Sequence, residues 1–209
     1  MSAAYPAGNA VQRAYLVLRE EGLRSFWFKL ASTLGYRRLL LLERSLQETV
    51  PQFEPKLPLE LGVLEVSEVD DHLAFRPDIP RQEALHRLRS AQECFVARSA
   101  GRIVSACWAT TRSRWNEFLS CELAVVPGEV HMFDAFTLPT FRGQGAAPAV
   151  CMHQLAHFRR QGLRRAIRAT LPENTPALRA HAKSGFTPYA LVRSIKIGPW
   201  QHTIESLWQ

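Results

Sequence analysis

Nowhere does the sequence contain a run of about 18 consecutive apolar residues, which argues against a membrane-spanning helix. Its opening stretch, MSAAYPAGNAVQR, lacks the charged-then-apolar order of a secretory leader, so the protein is expected to be cytoplasmic. Cysteine is sparse: Cys94, Cys107, Cys121 and Cys151 are far apart and form no C-x-x-C pair. Three of them, Cys94, Cys107 and Cys151, lie in apolar segments, which suits buried free thiols better than disulfides or zinc, and no metal is expected. There is no internal repeat and no low-complexity segment. What is present is a chain of 209 residues, 46% hydrophobic and 22% charged, with the balance of a globular protein and enough length for one well-buried core. The net charge of +7 calls for an anionic partner, for which nucleic acid, membrane lipid and a phosphorylated cofactor all qualify.

The chain divides by pattern near residue 57. In the first part, Leu23, Phe26, Trp27, Leu30, Ala31 and Leu34 form one stripe of an amphipathic helix, and Gly22 separates it from a first helix carrying Val11, Tyr15 and Leu18. Such a stripe packs on its own domain, on a second subunit of a homodimer, or in a membrane interface. Leu39 to Leu42 read as a strand or a buried turn, and Pro51, Pro55 and Pro58 as a linker. Residues 1–57 are thus expected to be an N-terminal extension and 58–209 the main domain. Within the latter, the pattern predicts a strand at 61–66, short helices at 69–75 and 82–91, and a hairpin of 94–97 with 103–110 turning at Ser99-Ala100-Gly101-Arg102. An irregular stretch, 112–128, precedes a strand at 130–138, a helix at 147–161, a strand at 165–171, a helix at 176–183 and further strand from Phe186. This is a mixed α/β order with a central strand-loop-helix-strand unit.

At that unit the segment FRGQGAAPAV, residues 141–150, clears side-chain bulk just before a helix. Glycine lets a backbone approach a ligand closely, and a helix N-terminus offers unpaired N–H groups and the positive end of its dipole; together these form a phosphate cradle. Pro148 suits a first turn, and Ala147, Val150, Cys151, Leu155 and Phe158 supply the apolar spacing. The segment has no Lys and does not follow the G-x-x-x-x-G-K-[ST] or G-x-G-x-x-G spacing, which weighs against nucleoside triphosphate and dinucleotide. A plain strand-to-helix turn competes with the cradle.

Arg142-x-x-Gly145-x-Ala147 resembles the Arg/Gln-x-x-Gly-x-Gly/Ala signature of the GNAT acyltransferase superfamily. Asn174, with Ala177, His181, Lys183, Ser184, Gly185 and Phe186, resembles its second landmark. The resemblance implies an α/β fold, with a mixed, mainly antiparallel central sheet, a splayed strand pair and flanking helices; the helical N-terminal extension, read from periodicity, lies outside it. It implies acetyl-CoA as co-substrate. Phe136, Thr137 and Leu138 would lie along the pantetheine, Arg142, Gly143, Gln144, Gly145, Ala146 and Ala147 would hold the pyrophosphate, and Asn174 the cofactor arm. Pro148 removes one amide from that cradle.

Acyl transfer to an amine needs a proton acceptor, an oxyanion stabiliser and often an acid for the thiolate. Strand alternation puts Val130, Met132, Asp134, Phe136 and Leu138 on one face, so Asp134 is a carboxylate in an apolar row; burial there raises a pKa and favours a base, while an Asp tied to backbone N–H groups or to an Arg is the competing reading. Glu129 is a second candidate base and His131 a third. His181 stands where the resemblance implies a tyrosine acid, and competes with a packing histidine. On the acceptor side, Trp108 and Trp115, among Arg112, Arg114, Glu117, Phe118 and Glu122, suit a polar acceptor or simply pack. The expected activity is transfer of acetyl from acetyl-CoA to a primary amine of a small molecule by direct attack. A longer acyl-CoA or acyl-carrier-protein donor, a hydroxyl acceptor, and an inactive CoA-binding or protein-binding module remain as alternatives. Nucleic acid is not expected, since the basic residues are scattered and lack interleaved aromatics.

Overall fold

In this computed structural model residues 35–50, 53–90 and 92–208 are described, so the helices expected around residues 11–18 and 23–34 lie outside the described residues. In chain order the elements are β1 (Tyr36–Ser45), β2 (Glu60–Val63), α1 (Val69–Phe75), α2 (Arg81–Arg89), β3 (Gln92–Ser99), β4 (Arg102–Thr110), β5 (Arg114–Asn116), β6 (Cys121–Leu123) and β7 (Glu129–Thr137). They continue with α3 (Ala146–Arg160), β8 (Arg165–Thr170), α4 (Thr175–Lys183), β9 (Thr187–Ile197) and β10 (Trp200–Leu207). The main sheet has eight strands in the order β10-β9-β1-β8-β7-β4-β3-β2, and its pairs are antiparallel except β7 with β8. Residues 112–128, expected to be irregular, contain the small β5–β6 hairpin.

Of the two readings of Leu39 to Leu42, the strand is the one present, and it moves the expected boundary. Leu39 to Leu42 sit inside a ten-residue strand paired with β8 on one side and β9 on the other, so the boundary expected at residue 57 cuts off a strand that the sheet contains. All four leucines are buried, as expected of a strand covered on both faces, whose near-continuous apolar run carries no alternation.

β3 and β4 form the expected hairpin. Ala100 and Gly101 both have positive φ, 49° and 74°, the backbone of a tight turn whose twist matches its strands. On one sheet face, α3 inserts Val150, Cys151, Leu155 and Phe158 against Phe95, Cys107, Val130, Met132 and Ala166. On the other, Phe75 of α1 and Leu88 of α2 cover Cys94, Val96, Ala106 and Trp108, while β5–β6 covers Leu39, Leu41 and Val192 with Leu119 and Leu123.

The expected alternation along β7 fails at one point. Asp134 has φ 48°, and the β4–β7 register shifts between Ala106 and Trp108. This bulge inserts an extra residue, so Val130 and Met132 face α3 while Phe136 faces α1. β7 and β8 pair in parallel only from Glu129–Arg165 to His131–Ile167 and then part, the splayed pair of the expected fold. Among the described residues no helix is long and apolar enough to cross a membrane.

An alanine held at φ 49° carries a steric cost of about 1 kcal/mol that asparagine largely avoids. Ala100→Asn is expected to raise the unfolding free energy by about 1 kcal/mol in urea melts, with an unchanged m-value.

Candidate functional site

Where β7 ends, one 3-10 turn, Pro139–Phe141, reverses the chain into α3. Gly143 and Gly145 take φ of 75° and 95°, and Gly145 is the N-cap of α3. Among the described residues, the N–H groups of Gly143, Gln144, Gly145, Ala146 and Ala147 make no backbone hydrogen bond of ordinary length and angle. Free amides in succession at the positive end of a helix fit an anionic group, so the phosphates of CoA suit this loop. Arg142 stands exposed at its entrance, with Nε donating to the Thr137 carbonyl (3.3 Å). Gln144 holds the turn by donating Nε2 to the Thr140 carbonyl (2.8 Å). Sequence reasoning missed a strap across this loop: the Lys56 N–H donates to the Gln144 carbonyl (3.0 Å), and a Cβ on Gly145 would lie 3.1 Å from both Phe53 and Pro55. The cleared bulk at Gly145 thus serves the strap as well as the turn. Asn174 caps α4, its Oδ1 accepting from the Ala177 N–H (3.2 Å).

Thr137 Oγ1 lies 2.8 Å from Ser105 Oγ, and the Leu138 N–H donates to the Val104 carbonyl, so this end of β7 is fastened to β4. Its other edge, beyond His131, has no strand partner. Between the parting strands lies Arg168 of β8, buried, donating to His181 Nδ1 (3.3 Å) and Cys107 Sγ (3.6 Å), with its carbon centre 5.2 Å from the Phe186 ring centroid. Because an arginine only donates, His181 Nδ1 must accept. Burial, then the charge of Arg168, lowers the His181 pKa to about 3, so the imidazole is neutral at pH 7 and is no imidazolium acid. Arg168 is in none of the expectations, and Cys107 is expected only as a buried free thiol, which it is. The available signal was RAIRAT, where an arginine shares the apolar face of Ala166 in an otherwise buried strand.

At Asp134 the competing expectation, an Asp tied to an Arg, is the one the structure shows. Arg76 Nη1 donates to its Oδ1 (3.2 Å) and Arg87 Nη1 to its Oδ2 (2.6 Å). Burial pushes the carboxyl up, but the Arg87 hydrogen bond and the Arg76 charge outweigh it and hold the pKa below the usual range. A raised-pKa base is therefore not what the strand presents. Arg76 and Arg87 also lie over aromatic rings, Arg76 over Phe136 (4.7 Å) and Arg87 over Trp108 (5.3 Å). Trp108 itself is 1% exposed and packs edge-on to His72, so of its two expected places, acceptor pocket or core, it takes the core. Trp115 of β5 is exposed, and beside it Arg114 stacks 4.0 Å over Phe133.

Glu129 and His131 lie lower on β7. Glu129 is buried, accepts from Arg165 Nε (2.7 Å) and the Val126 N–H (3.2 Å), and stands five residues, about 16 Å, from Asp134, so the two carboxylates do not act together. Burial, then Arg114 and Arg168, lowers the His131 pKa to about 3; its Nδ1 is buried without a partner. Among the described residues no group of His, Cys, Asp and Glu comes together in a way that holds a metal ion.

Residues 62–186, well over half of the chain, match the acetyltransferase (GNAT) family. Among solved structures, a GNAT-family acetyltransferase from Novosphingobium aromaticivorans aligns with TM-score 0.56 and 18% identity over 76% of this chain and 65% of its own. A GCN5-related N-acetyltransferase from Sphaerobacter thermophilus gives 0.54 and 16% over 87% and 56%. This chain thus spans less than two thirds of the length of either. The aminoglycoside N-acetyltransferase AAC(6')-Iy, solved with CoA, gives 0.50 and 20% over 62% and 88%. At these identities the likeness is one of fold. No curated protein matches in sequence.

Removing the charge of Asp134 takes the part-buried carboxylate from two guanidinium groups and leaves Arg76 with Asp78 and Arg87 with Glu83. Asp134→Asn is expected to lower the unfolding free energy by about 1 to 3 kcal/mol at pH 7. With the folded pKa depressed, that contribution is full above about pH 4 and fades as pH falls through the folded value, so urea melts of the two proteins should converge in acid. His131 and His181 act over a different range. Both have folded values of about 3 against 6.5, so below pH 6.5 the unfolded chain takes up protons that the native one refuses. Stability should therefore fall from pH 7 toward pH 4, and His131→Leu should lessen that slope by up to about 1.4 kcal/mol per pH unit in the same melts.

Proposed function

This chain belongs to the acetyltransferase (GNAT) family, and from that premise we propose that it moves the acetyl group of acetyl-CoA to a primary amine of a small molecule by direct attack. The observation that carries the reading is the succession of unpaired amides over residues 143–147 at the head of α3. In this reading those amides and Arg142 hold the pyrophosphate, with Pro148 contributing none. The open edge of β7 beside Phe136 and Thr137 accompanies the pantetheine with the backbone groups that β4 does not take, and Leu138, bonded through its N–H to Val104, ends that edge. Asn174 keeps Nδ2 for the cofactor arm while Oδ1 caps α4. A similar fold solved with CoA, in an aminoglycoside N-acetyltransferase, supports this choice of donor and an amine-bearing acceptor.

The bound donor supplies the activated acetyl group; the protein's own residues orient both reactants. Acceptor contacts fall on the face opposite α3, where Trp115 is exposed and Arg114 lies over Phe133. Asp134 and Glu129 are each held by arginine and serve as charge partners of the framework. The amine accordingly attacks in its neutral form and gives its proton to water. Backbone N–H groups beside the Asp134 bulge polarise the acetyl carbonyl.

The test uses Gly143, where a Cβ would meet nothing within 4 Å but φ is 75°. Asn and Asp tolerate that backbone best among side chains and are nearly equal in size, so charge is the difference between them. In calorimetric titration with acetyl-CoA, Gly143→Asn is expected to bind close to the native protein and Gly143→Asp about tenfold or more weakly. Equal affinity of the two variants, or no binding by the native protein, would remove the phosphate cradle from the account.

A further inference from the structure

Arg168 leaves β8 on the face covered by α3 and α4 and is 8% exposed. Its Nε has no acceptor, and among the described residues no carboxylate pairs with it. Its two polar neighbours are neutral: His181 accepts at Nδ1, and burial raises the Cys107 thiol to about 11 despite the opposing pull of Arg168. Gln154 adds to the same cluster, donating Nε2 to the Cys107 carbonyl (3.0 Å) while its Oε1 is buried and unpaired. A guanidinium taken out of water without a counter-charge is far more costly than an apolar residue of the same volume. Its place is equally specific. Ile167 is the last β8 residue in register with β7, so Arg168 is the first residue inside the wedge where the strands part.

We propose that Arg168 is a catalytic residue whose guanidinium receives the sulfur that leaves the acetyl group, pairing with it as a thiolate in place of a proton donor. This rests on the reading of the chain as an acetyl-CoA-dependent transferase. In the step concerned, the acceptor nitrogen bonds to the acetyl carbon, the carbon–sulfur bond breaks with its electron pair staying on sulfur, and the proton lost by nitrogen passes to water. The departing pair needs a proton or a cation. His181 stands where an acid was expected, but with its Nδ1 lone pair turned to Arg168 it is a positioning residue that aims the guanidinium. Arg168 itself cannot lose its charge, and most of its N–H groups are unspent.

CoA with a free thiol is the probe, because a cation beside sulfur lowers the pKa of that thiol whether or not any reaction follows. The thiolate is followed by its ultraviolet absorbance across pH, as a difference against the complex with acetyl-CoA, which has no ionisable thiol. Bound to the native protein, the thiol should titrate about 1 to 3 pH units below free CoA. Arg168→Lys should keep a depressed value, and Arg168→Met should return it to the free value or above it, each read at CoA concentrations that saturate the variant. An unshifted thiol in a native protein that binds both molecules overturns the proposal even if neither variant folds. So does an equally depressed value in Arg168→Met. A native protein that binds neither molecule refutes the donor reading instead, and Arg168 falls with it.

Discussion

Beyond His131 and Ile167 the backbones of β7 and β8 stop bonding to each other, and every peptide group on those facing edges then needs a partner that is not a strand. A sheet tolerates that demand only where something other than a neighbouring strand meets it. Here the parting also brings three features to one end of the molecule: the unpaired edge of β7, the amides at the head of α3, and a buried arginine between the strands. A closed β7–β8 ladder would leave no open edge.

The divergence is held from both sides. On one face, Asp134 at positive φ throws β7 into a bulge, and Arg76 at the end of α1 with Arg87 on α2 fix that bulge by two ion pairs. The same guanidinium groups cover Phe136 and Trp108, so the charges that set the backbone also seal the apolar layer beneath. On the other face, Arg44 of β1 donates to the Ser184 carbonyl and presses against Gly185, where any Cβ would lie 2.9 Å from its Nη1. This anchors the end of α4 that carries His181 over Arg168. The strap at residues 53–56 closes the arrangement by bonding to the loop in front of α3. Two of the three local charges that matter, on Asp134 and Glu129, are thereby spent on structure. Of the three, Arg168 alone stands without an opposite charge among the described residues.

Much of this was readable in the residues. The glycine segment, the α3 pattern and the type of hairpin at Ala100-Gly101 follow from local rules, because each depends on residues adjacent in the chain. What escaped depends on residues far apart. Leu39 to Leu42 carry no alternation, since both their faces are buried, and only pairing with β8 and β9 defines them as a strand of the sheet. Alternation places Asp134 on one apolar face only in a regular strand; a bulge is set by tertiary contacts, here arginines 58 and 47 residues away. The same long-range pairs decide between a raised and a lowered pKa for Asp134, which local pattern leaves open. Trp108 looked like a pocket residue because tryptophans in such stretches do both jobs, and burial alone separates them.

Amide hydrogen exchange with and without acetyl-CoA tests most directly whether the parted strands and the loop form one binding surface. The account predicts slowed exchange at residues 135–138 and 143–147 together, with β9 and β10 unchanged. Protection confined to other elements, or none at a concentration that saturates the protein, would contradict it.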